Sequence, residues 1–251
     1  MITRYSAWMD GVGLQNLDPT IYIIDIEESV PSMNVVTMQR AGGDGMHVAR
    51  RQRQALTVTI RYMVREYDTV RRKDVFNKIS TWARGKYLSI SDRPGQRLRV
   101  QCDAAPVVNS ALRWTETQSL VLTAYQKPYW EDETPLAVSV AGRTGEALVN
   151  TPANAVGFYV DVVVKNTSSA KINTLRISTH HGEMFFEDID LAAGGELGVW
   201  YDDDGILRLP IGKRTAQSVD DFELEPGKQE RFVFEADNLV NIEFFVRGRY
   251  E

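Results

Sequence analysis

Hydrophobic and polar residues alternate along much of the chain with a period of two, which is typical of β-strands. The segments Ile21–Ile26 and Leu56–Val64 alternate or run apolar and are rich in β-branched side chains, which favours half-buried or fully buried strands. Ser119–Tyr125 shows the same pattern. The chain is therefore predicted to be mostly β.

One segment, Asp68–Lys86, departs from this period and predicts an α-helix over residues 68–84. Its apolar residues recur at spacings near three and four, which gives an amphipathic helix a single apolar stripe. The stripe consists of Val70, Phe76, Ile79, Trp82 and Ala83. Asp68 is expected to cap the N-terminus, and Gly85 is expected to follow the C-terminus in a left-handed conformation. This helix should close one face of a sheet.

A hairpin is predicted after the helix. Tyr87–Ser91 and Leu98–Cys102 flank the turn cluster Asp92–Gly95, in which Pro presets φ and Gly accepts a positive φ. Cys102 is the one cysteine of the chain, so it cannot form an intrachain disulfide. We expect it to fill a buried strand face in a protein that folds in the cytoplasm.

The composition changes after Trp130, and this change predicts two domains. Residues 131–155 are richer in Pro, Gly, Thr and Asn, so we expect a linker that carries one short strand, Leu136–Val140. Regularly spaced short strands then indicate an antiparallel β-sandwich over residues 156–251. The predicted strands are Phe158–Val164, Thr174–Ser178, Glu183–Phe186, Leu197–Tyr201, Ile206–Leu209, Glu230–Glu235 and Asn241–Arg247. Residues 1–130 form the other expected domain.

Charge is divided unevenly between the halves. Residues 1–130 carry 18 Lys and Arg against 12 Asp and Glu, and residues 131–251 carry 11 against 22, which gives about +6 and −11. The N-terminus lacks the pattern of a signal peptide, and no apolar stretch approaches the roughly 20 residues that a membrane span needs. We expect no membrane partner. The sequence pI is near 5.4 and no aromatic residues interleave the basic ones, so no specific nucleic-acid partner is expected either.

The candidate catalytic and metal-binding residues do not combine into a catalytic or metal-binding site. His180 and His181 are adjacent, and neighbouring residues on a strand face opposite ways, so a polar turn is favoured over a metal site. Asp202–Gly205 lacks the spacing and closing Glu of the best-known calcium loop and is expected to be a hairpin turn. His47 has no Ser or Cys partner in a nucleophile motif. We therefore expect no catalytic residue, no metal site, no cofactor and no enzymatic activity.

Val35–Gln54 is expected to form a long hairpin or projecting loop. Gly42, Gly43 and Gly45 make its tip pliable, and the segment lacks the pattern of a nucleotide-binding loop. Four arginines beside the glycines give a basic patch, which can meet nucleic acid or an acidic protein surface. These arginines are Arg40, Arg50, Arg51 and Arg53.

Several of these features occur in an order that resembles a known family. In the first half they are Gly11-x-Gly13, the glycine loop Ala41–Gly45, the single helix, the Leu88–Asp92 hairpin and the closing Tyr125–Trp130. In the second half they are Ser218–Phe222, Leu224–Gly227 and Asn241–Tyr250. Together they resemble the distal tail protein family of long-tailed, siphovirus-type bacteriophages over the whole chain.

The resemblance implies a fold and a role. The fold would be an N-terminal β-barrel-like or sandwich-like domain with one helix, followed by a galectin-like antiparallel β-sandwich. The role would be structural: a homo-hexameric ring at the distal end of the phage tail in the virion, assembled in the host cytoplasm. The implied partners are further copies of the chain, the tail tube protein, and a tail-tip, tail-associated or receptor-binding protein.

In such a ring, Val35–Gln54 is expected to contact a neighbouring copy or the tube. The contact residues would be Val35, Val36, Met38, Arg40, Gly42, Gly43, Gly45, Arg50, Arg51 and Arg53. Asp25, Glu27 and Glu28 of a neighbour are candidate partners for the arginines.

Two other functions stay open. A carbohydrate-binding module could contact the host cell wall through a galectin-like sandwich, with Trp200 or Tyr201 as a stacking surface; strand alternation allows only one of the two to face outward. A peptidoglycan-cleaving tail enzyme would need paired carboxylates or a Cys/His site, which the sequence does not provide.

Overall fold

The alternation along Leu56–Val64 becomes a strand with one fully buried face. Its buried residues are Leu56, Val58, Ile60, Tyr62 and Val64. The residues between them are partly or fully exposed, so this strand has the two unlike faces that its sequence predicts.

The structure is a computed structural model. It describes residues 5–39, 46–103, 116–202, 205–209, 216–219 and 222–251. Only the backbone is described at residues 36, 38, 39, 46–52 and 216–219. The chain divides into two compact units, Met1–Trp130 and Glu131–Glu251.

The first unit is built from short antiparallel strands and one described α-helix. Its strands are β1 (Ala7–Met9), β2 (Val12–Gly13), β3 (Ile21–Glu28), β4 (Met33–Gln39), β5 (Met46–Arg53), β6 (Leu56–Val64), β7 (Tyr87–Ile90), β8 (Gln96–Arg99), β9 (Gln101–Cys102) and β10 (Gln118–Ala124). A 3-10 helix spans Leu14–Asn16, and α1 spans Thr69–Trp82. One sheet has the order β3-β6-β10-β9, a second run has the order β2-β1-β7-β8, and β4 pairs with β5.

The helix begins where its cap predicts. The Asp68 carboxylate accepts hydrogen bonds from the N–H groups of Val70 at 2.7 Å and Arg71 at 3.1 Å, which also lower the pKa of Asp68. The ring of Phe76 lies 6.4 Å from that of Tyr62 on β6, so α1 closes a face of the β3-β6-β10-β9 sheet as expected.

Two details of the helix prediction are wrong. Val70 is 71% exposed, and Val75 is buried in its place. At about 100° per residue, Val70 points roughly 180° away from Ile79, the centre of the buried stripe. Gly85 is not among the residues with a positive φ; instead, a Cβ there would collide with the side chain of Met9. Close packing, and not a left-handed cap, requires this glycine.

The predicted hairpin after the helix is confirmed. Tyr87 pairs with Arg99 and Leu88 with Leu98, and Gly95 in the turn has a φ of +75°. Cys102 lies beyond this hairpin on β9, where it is half-buried and opposite Leu122 on β10.

The second unit is an antiparallel β structure centred on its last strand. After β11 (Trp130–Asp132), the strands are β12 (Leu136–Asn150), β13 (Gly157–Asn166), β14 (Leu175–Ser178), β15 (Glu183–Phe186), β16 (Glu196–Tyr201), β17 (Leu207–Arg208), β18 (Ala216–Val219) and β19 (Gln229–Tyr250). The two strands predicted near residues 230 and 241 are one continuous strand, β19. It pairs with β12 on one side and with β13 and β14 on the other. The prediction of a mostly β fold with one helix is confirmed.

The segment predicted as a linker contains a long strand. β12 spans Leu136–Asn150, and the short strand Leu136–Val140 is only its beginning. The glycines mark irregularities of this strand: the register shifts between Gly142 and Thr144, and a Cβ at Gly145 would lie 2.7 Å from the ring of Phe234.

Aromatic rings form much of the core of the second unit. Phe232 lies 5.5 Å from Phe222 and 4.4 Å from Phe244, measured between ring centres, and all three rings are buried. Burial of a side chain of this size contributes about 2 kcal/mol to folding. Phe222 therefore packs against β19, which carries the other two rings.

Candidate assembly surface

Strands β4 and β5 form a separate two-stranded hairpin, which we call the arm. Met33 pairs with Arg53 at its base and Gln39 with Met46 at its far end, so the predicted hairpin is present. In the part of the chain that the structure describes, neither strand pairs with any other. The predicted tip residues Arg40, Gly42, Gly43 and Gly45 lie outside the described residues.

Hydrogen bonds fix the base of the arm. The Ser32 hydroxyl donates to Gln54 Oε1 at 2.5 Å, and the Gln54 N–H donates to the Ser32 carbonyl at 2.9 Å. One step further down, the N–H of Thr57 donates to the Ser29 hydroxyl and the N–H of Ser29 donates to the Thr57 carbonyl, both at 2.8 Å. Since Thr57 lies on β6, the arm starts from the central sheet of the first unit.

The arm presents apolar and cationic positions on one face. Val35 is 46% exposed and lies opposite Arg51, and Met33 is 50% exposed and lies opposite Arg53. Directly opposite residues of an antiparallel pair share a face. Met33 was not among the predicted contact residues, although the alternation Met33-x-Val35 indicates that it lies on the same side as Val35. The Arg53 guanidinium carbon lies 4.7 Å from the ring centre of Tyr129.

The carboxylates expected to meet a neighbour's arm are engaged within their own unit. Glu27 forms an ion pair with Arg61 at 2.8 Å, and Glu28 forms one with Arg93 at 3.0 Å. Asp25 Oδ1 accepts a hydrogen bond from the adjacent backbone N–H at 3.0 Å. The charges of Glu27 and Glu28 are therefore already balanced inside the folded chain.

A mostly apolar groove of about 570 Å³ lies at the end of α1. It is lined by Met9, Asp10, Val12, Leu17, Asn77, Lys78, Thr81, Trp82 and Gly85. The Trp82 indole N–H donates to the Val12 carbonyl at 2.6 Å, and the Asp10 carboxylate accepts from the N–H groups of Lys86 and Tyr87, both at 2.9 Å. These bonds attach the β1–β2 turn to the end of the helix.

Asp18, next to Leu17 in the chain and bonded to Lys78, lies beside this groove. Burial acts to raise the pKa of Asp18, but hydrogen bonds from Thr20 and Lys78 outweigh it, so the pKa is lowered. The bonds to Thr20 Oγ1 and Lys78 Nζ measure 2.8 and 3.3 Å. Asp18 thus joins the loop before β3 to the helix.

The histidines and the aspartate considered as metal ligands contact other side chains or backbone groups of the chain. The rings of His180 and His181 are 4.4 Å apart, and His181 Nε2 lies 3.2 Å from Glu225 Oε1. Asp202 accepts from the Ile206 N–H at 2.9 Å and pairs with Arg208 at 2.6 Å, as in a hairpin turn. No group of three or more His, Cys, Asp or Glu side chains in the described ranges is placed to hold a metal ion. Likewise, none of the described helices is long and apolar enough to cross a membrane.

Trp200 and Tyr201 face opposite ways, as alternation requires. Trp200 is 45% exposed, whereas the Tyr201 ring packs against that of Tyr159 at 4.7 Å. Arg249 covers the Tyr159 ring at 4.7 Å. Only Trp200 of this pair therefore offers a broad aromatic surface to solvent.

The fold matches that of a phage hub protein along nearly all of both chains. SPP1 Dit, described as a paradigm of the hub adsorption apparatus in phages that infect Gram-positive bacteria, matches with a TM-score of 0.59 and 14% identity, over 98% of this chain and 99% of that chain. The phage P2 baseplate in its activated conformation with Ca matches with a TM-score of 0.48 and 10% identity, over 99% and 98% of the two chains. No protein-family model and no curated protein sequence matches the chain. The predicted resemblance to the distal tail family is confirmed at the level of the fold.

Proposed function

We propose that this chain is a structural hub protein of a phage tail. It forms a homo-hexameric ring that joins the tail tube to the tail-tip or baseplate and host-adsorption proteins. The observation that carries this proposal is the likeness to SPP1 Dit, which spans both units and not one common module. A fold alone does not fix a function, so the arm and its charge supply the second support.

The arm has the properties of a contact element. A two-stranded hairpin that no third strand joins is at best marginally stable in water on its own. The exposed side chains of Met33 and Val35 gain burial only when another surface covers them. We assign the contact with a neighbouring copy or with the tube to the residues of the arm. These are Val35, Val36, Met38, Arg40, Gly42, Gly43, Gly45, Arg50, Arg51 and Arg53.

The acidic partner of the arm is then not Glu27 or Glu28. Transferring either carboxylate to an arginine of a neighbour would leave Arg61 or Arg93 without its ion pair. Asp25, whose described bond is to a backbone N–H, stays a candidate. Ion pairs here set orientation and association rate more than affinity, so the apolar residues of the arm provide most of the binding free energy.

The proposed location is the distal end of the tail in the virion, after assembly in the host cytoplasm. Antibodies against the chain should label that end of purified phage tails in electron micrographs. Phage particles made without the chain should have tails that lack the tip structure. Labelling of the head, or normal tips on particles that lack the chain, would refute the proposal.

A second candidate function is carbohydrate binding by the second unit, and the exposed ring of Trp200 favours it. Sugar rings stack on such aromatic faces. The full chain should then bind a cell-wall glycan on an array, and W200A should abolish that binding. Since Tyr201 is packed against Tyr159, Y201F serves as the matched control with unchanged binding. Equal binding by W200A and the native chain would remove this candidate.

A further inference from the structure

Strand β12 leaves one of its edges open. It pairs with β19 from Leu136 opposite Val246 to Asn150 opposite Gln229, with an interruption at Arg143. Within the described ranges, no strand pairs with its other edge. An open edge presents unpaired N–H and C=O groups, which form a template for another strand.

The first part of this edge lacks the usual protection against pairing. Natural edge strands carry charges or prolines, or are short. The stretch Leu136–Gly142 has neither a charge nor a proline. A bulge between Gly142 and Thr144 ends it, which limits a regular ladder to this stretch.

The side chains of the stretch Leu136–Gly142 are also incompletely buried. Val138 and Val140 lie opposite Phe244 and Ile242, which are fully buried, yet both valines are only half-buried. Leu136 has the same parity and is 45% exposed. Another strand beside β12 would bury the remaining surface of this apolar row.

The sequence of the stretch favours a second copy of this chain as that strand. Leu-Ala-Val-Ser-Val-Ala-Gly is nearly the same in both directions about Ser139. Antiparallel pairing about a twofold axis at Ser139 places Val138 opposite Val140 of the second copy, and Ala137 opposite Ala141. Pairs of β-branched side chains are favourable in this position, and a twofold axis makes every contact occur twice.

The charges at the two ends of the stretch agree with this register. Glu133 and Arg143 are both exposed, and neither side chain forms an ion pair with a described residue. In the self-paired arrangement Arg143, one residue beyond the stretch, lies at the same end of the ladder as the bend that holds Glu133 of the second copy. One Arg–Glu pair of opposite charge would therefore stand at each end of the ladder.

We propose that β12 is a homotypic interface, in which Leu136–Gly142 of two copies pair antiparallel about Ser139. Such a contact pairs identical surfaces, whereas the contacts within a ring are heterologous. The interface therefore goes beyond the ring proposed above. It would join two rings, or two single chains where no ring forms.

Cysteine cross-linking of the full chain tests the register directly. Opposite residues of an antiparallel pair have Cα atoms about 4.5 to 5.5 Å apart, which suits a disulfide. S139C should form a disulfide-linked dimer on mild oxidation. A137C and A141C should link to each other when mixed, and neither should link to itself. The native chain, whose one cysteine is Cys102, gives the background level of disulfide-linked dimer.

Mass spectrometry identifies which peptides the disulfide joins. Because this readout reports the paired residues themselves, the result does not depend on whether a ring is present. Failure of both S139C and the A137C with A141C mixture to link would overturn the proposal. Self-linking of A137C as readily as of S139C would also overturn it, because that pattern requires another register.

Charge variants test the same interface without a covalent bond. S139K places two lysines opposite each other and should weaken dimerisation about tenfold in sedimentation experiments. N150K, an exposed position of the same strand outside the stretch, should leave dimerisation unchanged. R143E and E133R should each weaken it, and the double variant should restore it. Equal dimerisation by S139K and the native chain, or a double variant as weak as the two single variants, would contradict the proposal.

Discussion

The indole N–H of Trp130 donates a hydrogen bond to the carboxylate of Glu28 at 2.9 Å. Trp130 is fully buried, and its ring is also covered by the guanidinium of Arg93, 5.4 Å from the ring centre. Because Arg93 forms an ion pair with Glu28, the three side chains make one closed arrangement. It fixes the last residue of the first unit to the end of strand β3.

The first prediction concerns this arrangement. E28A leaves the buried indole N–H without its acceptor and should lower the free energy of unfolding by about 2 kcal/mol. E28Q keeps an acceptor and should cost less. In a double-mutant cycle with W130F, measured by urea unfolding, the two losses should be less than additive. Full additivity would show that the two side chains do not interact.

The second prediction concerns the contact between Asp132 and Tyr250. Asp132 accepts hydrogen bonds from the Gly248 N–H at 2.8 Å and the Tyr250 hydroxyl at 2.9 Å. Burial, with help from the bond to Asp132, raises the pKa of Tyr250 from 10.0 to about 12. A raised pKa in the folded state gives stability that is present below pH 10 and is lost as the pH rises to about 12.

Y250F should therefore be less stable than the native chain at neutral pH, by about 1 kcal/mol. The difference should shrink as the pH rises above 10. In D132N, a spectrophotometric titration should show a lower pKa for Tyr250, because the negative charge beside its hydroxyl is gone. An unchanged tyrosine titration in D132N would be inconsistent with this contact.

The third prediction separates two roles of glycine. G85A places a Cβ against the side chains of Met9 and Asp10, and should lower the free energy of unfolding by about 2 to 3 kcal/mol. G95A is the matched control, since Gly95 has a φ of +75° with open space around it. Its cost should be about 1 kcal/mol, from the backbone alone. Chemical denaturation should give G85A a lower free energy of unfolding than G95A. A lower value for G95A would contradict close packing at Gly85.

The fourth prediction concerns the arm. Replacing Arg50, Arg51 and Arg53 together by Glu should leave the chain folded, with circular dichroism close to the native spectrum. It should block assembly, because the charge that orients the arm is reversed. The control replaces Arg71, Lys73 and Arg84, which are exposed in the same unit, and should assemble normally. Normal assembly of the arm variant would make the arm a passive surface element.

Much of the fold follows from local patterns. The alternation along β6 and the cap at Asp68 were sufficient to place the central strand and the helix start. The hairpin around Gly95 follows from turn chemistry in the same way. These features depend on neighbours in sequence, so the sequence contains what is needed to predict them.

The sequence-based predictions fail where contacts between residues far apart in the chain determine the structure. Gly142 and Gly145 suggested a linker, but a bulge and the ring of Phe234 explain them, and neither is visible without the partner strand. The ion pairs of Glu27 and Glu28 depend on Arg61 and Arg93 in other elements. The open edge of β12 was missed because only the sheet order shows which strand lacks a second neighbour.

The central claim is that the chain assembles into a ring of six copies, and native mass spectrometry of the purified protein tests it most directly. The chain has a mass of 28.4 kDa, and we predict a species of six times that mass, or of twelve times where rings pair. The arm variant should lose this species. Monomers and dimers alone at every protein concentration, with no ring upon addition of the tail tube protein, would contradict the claim.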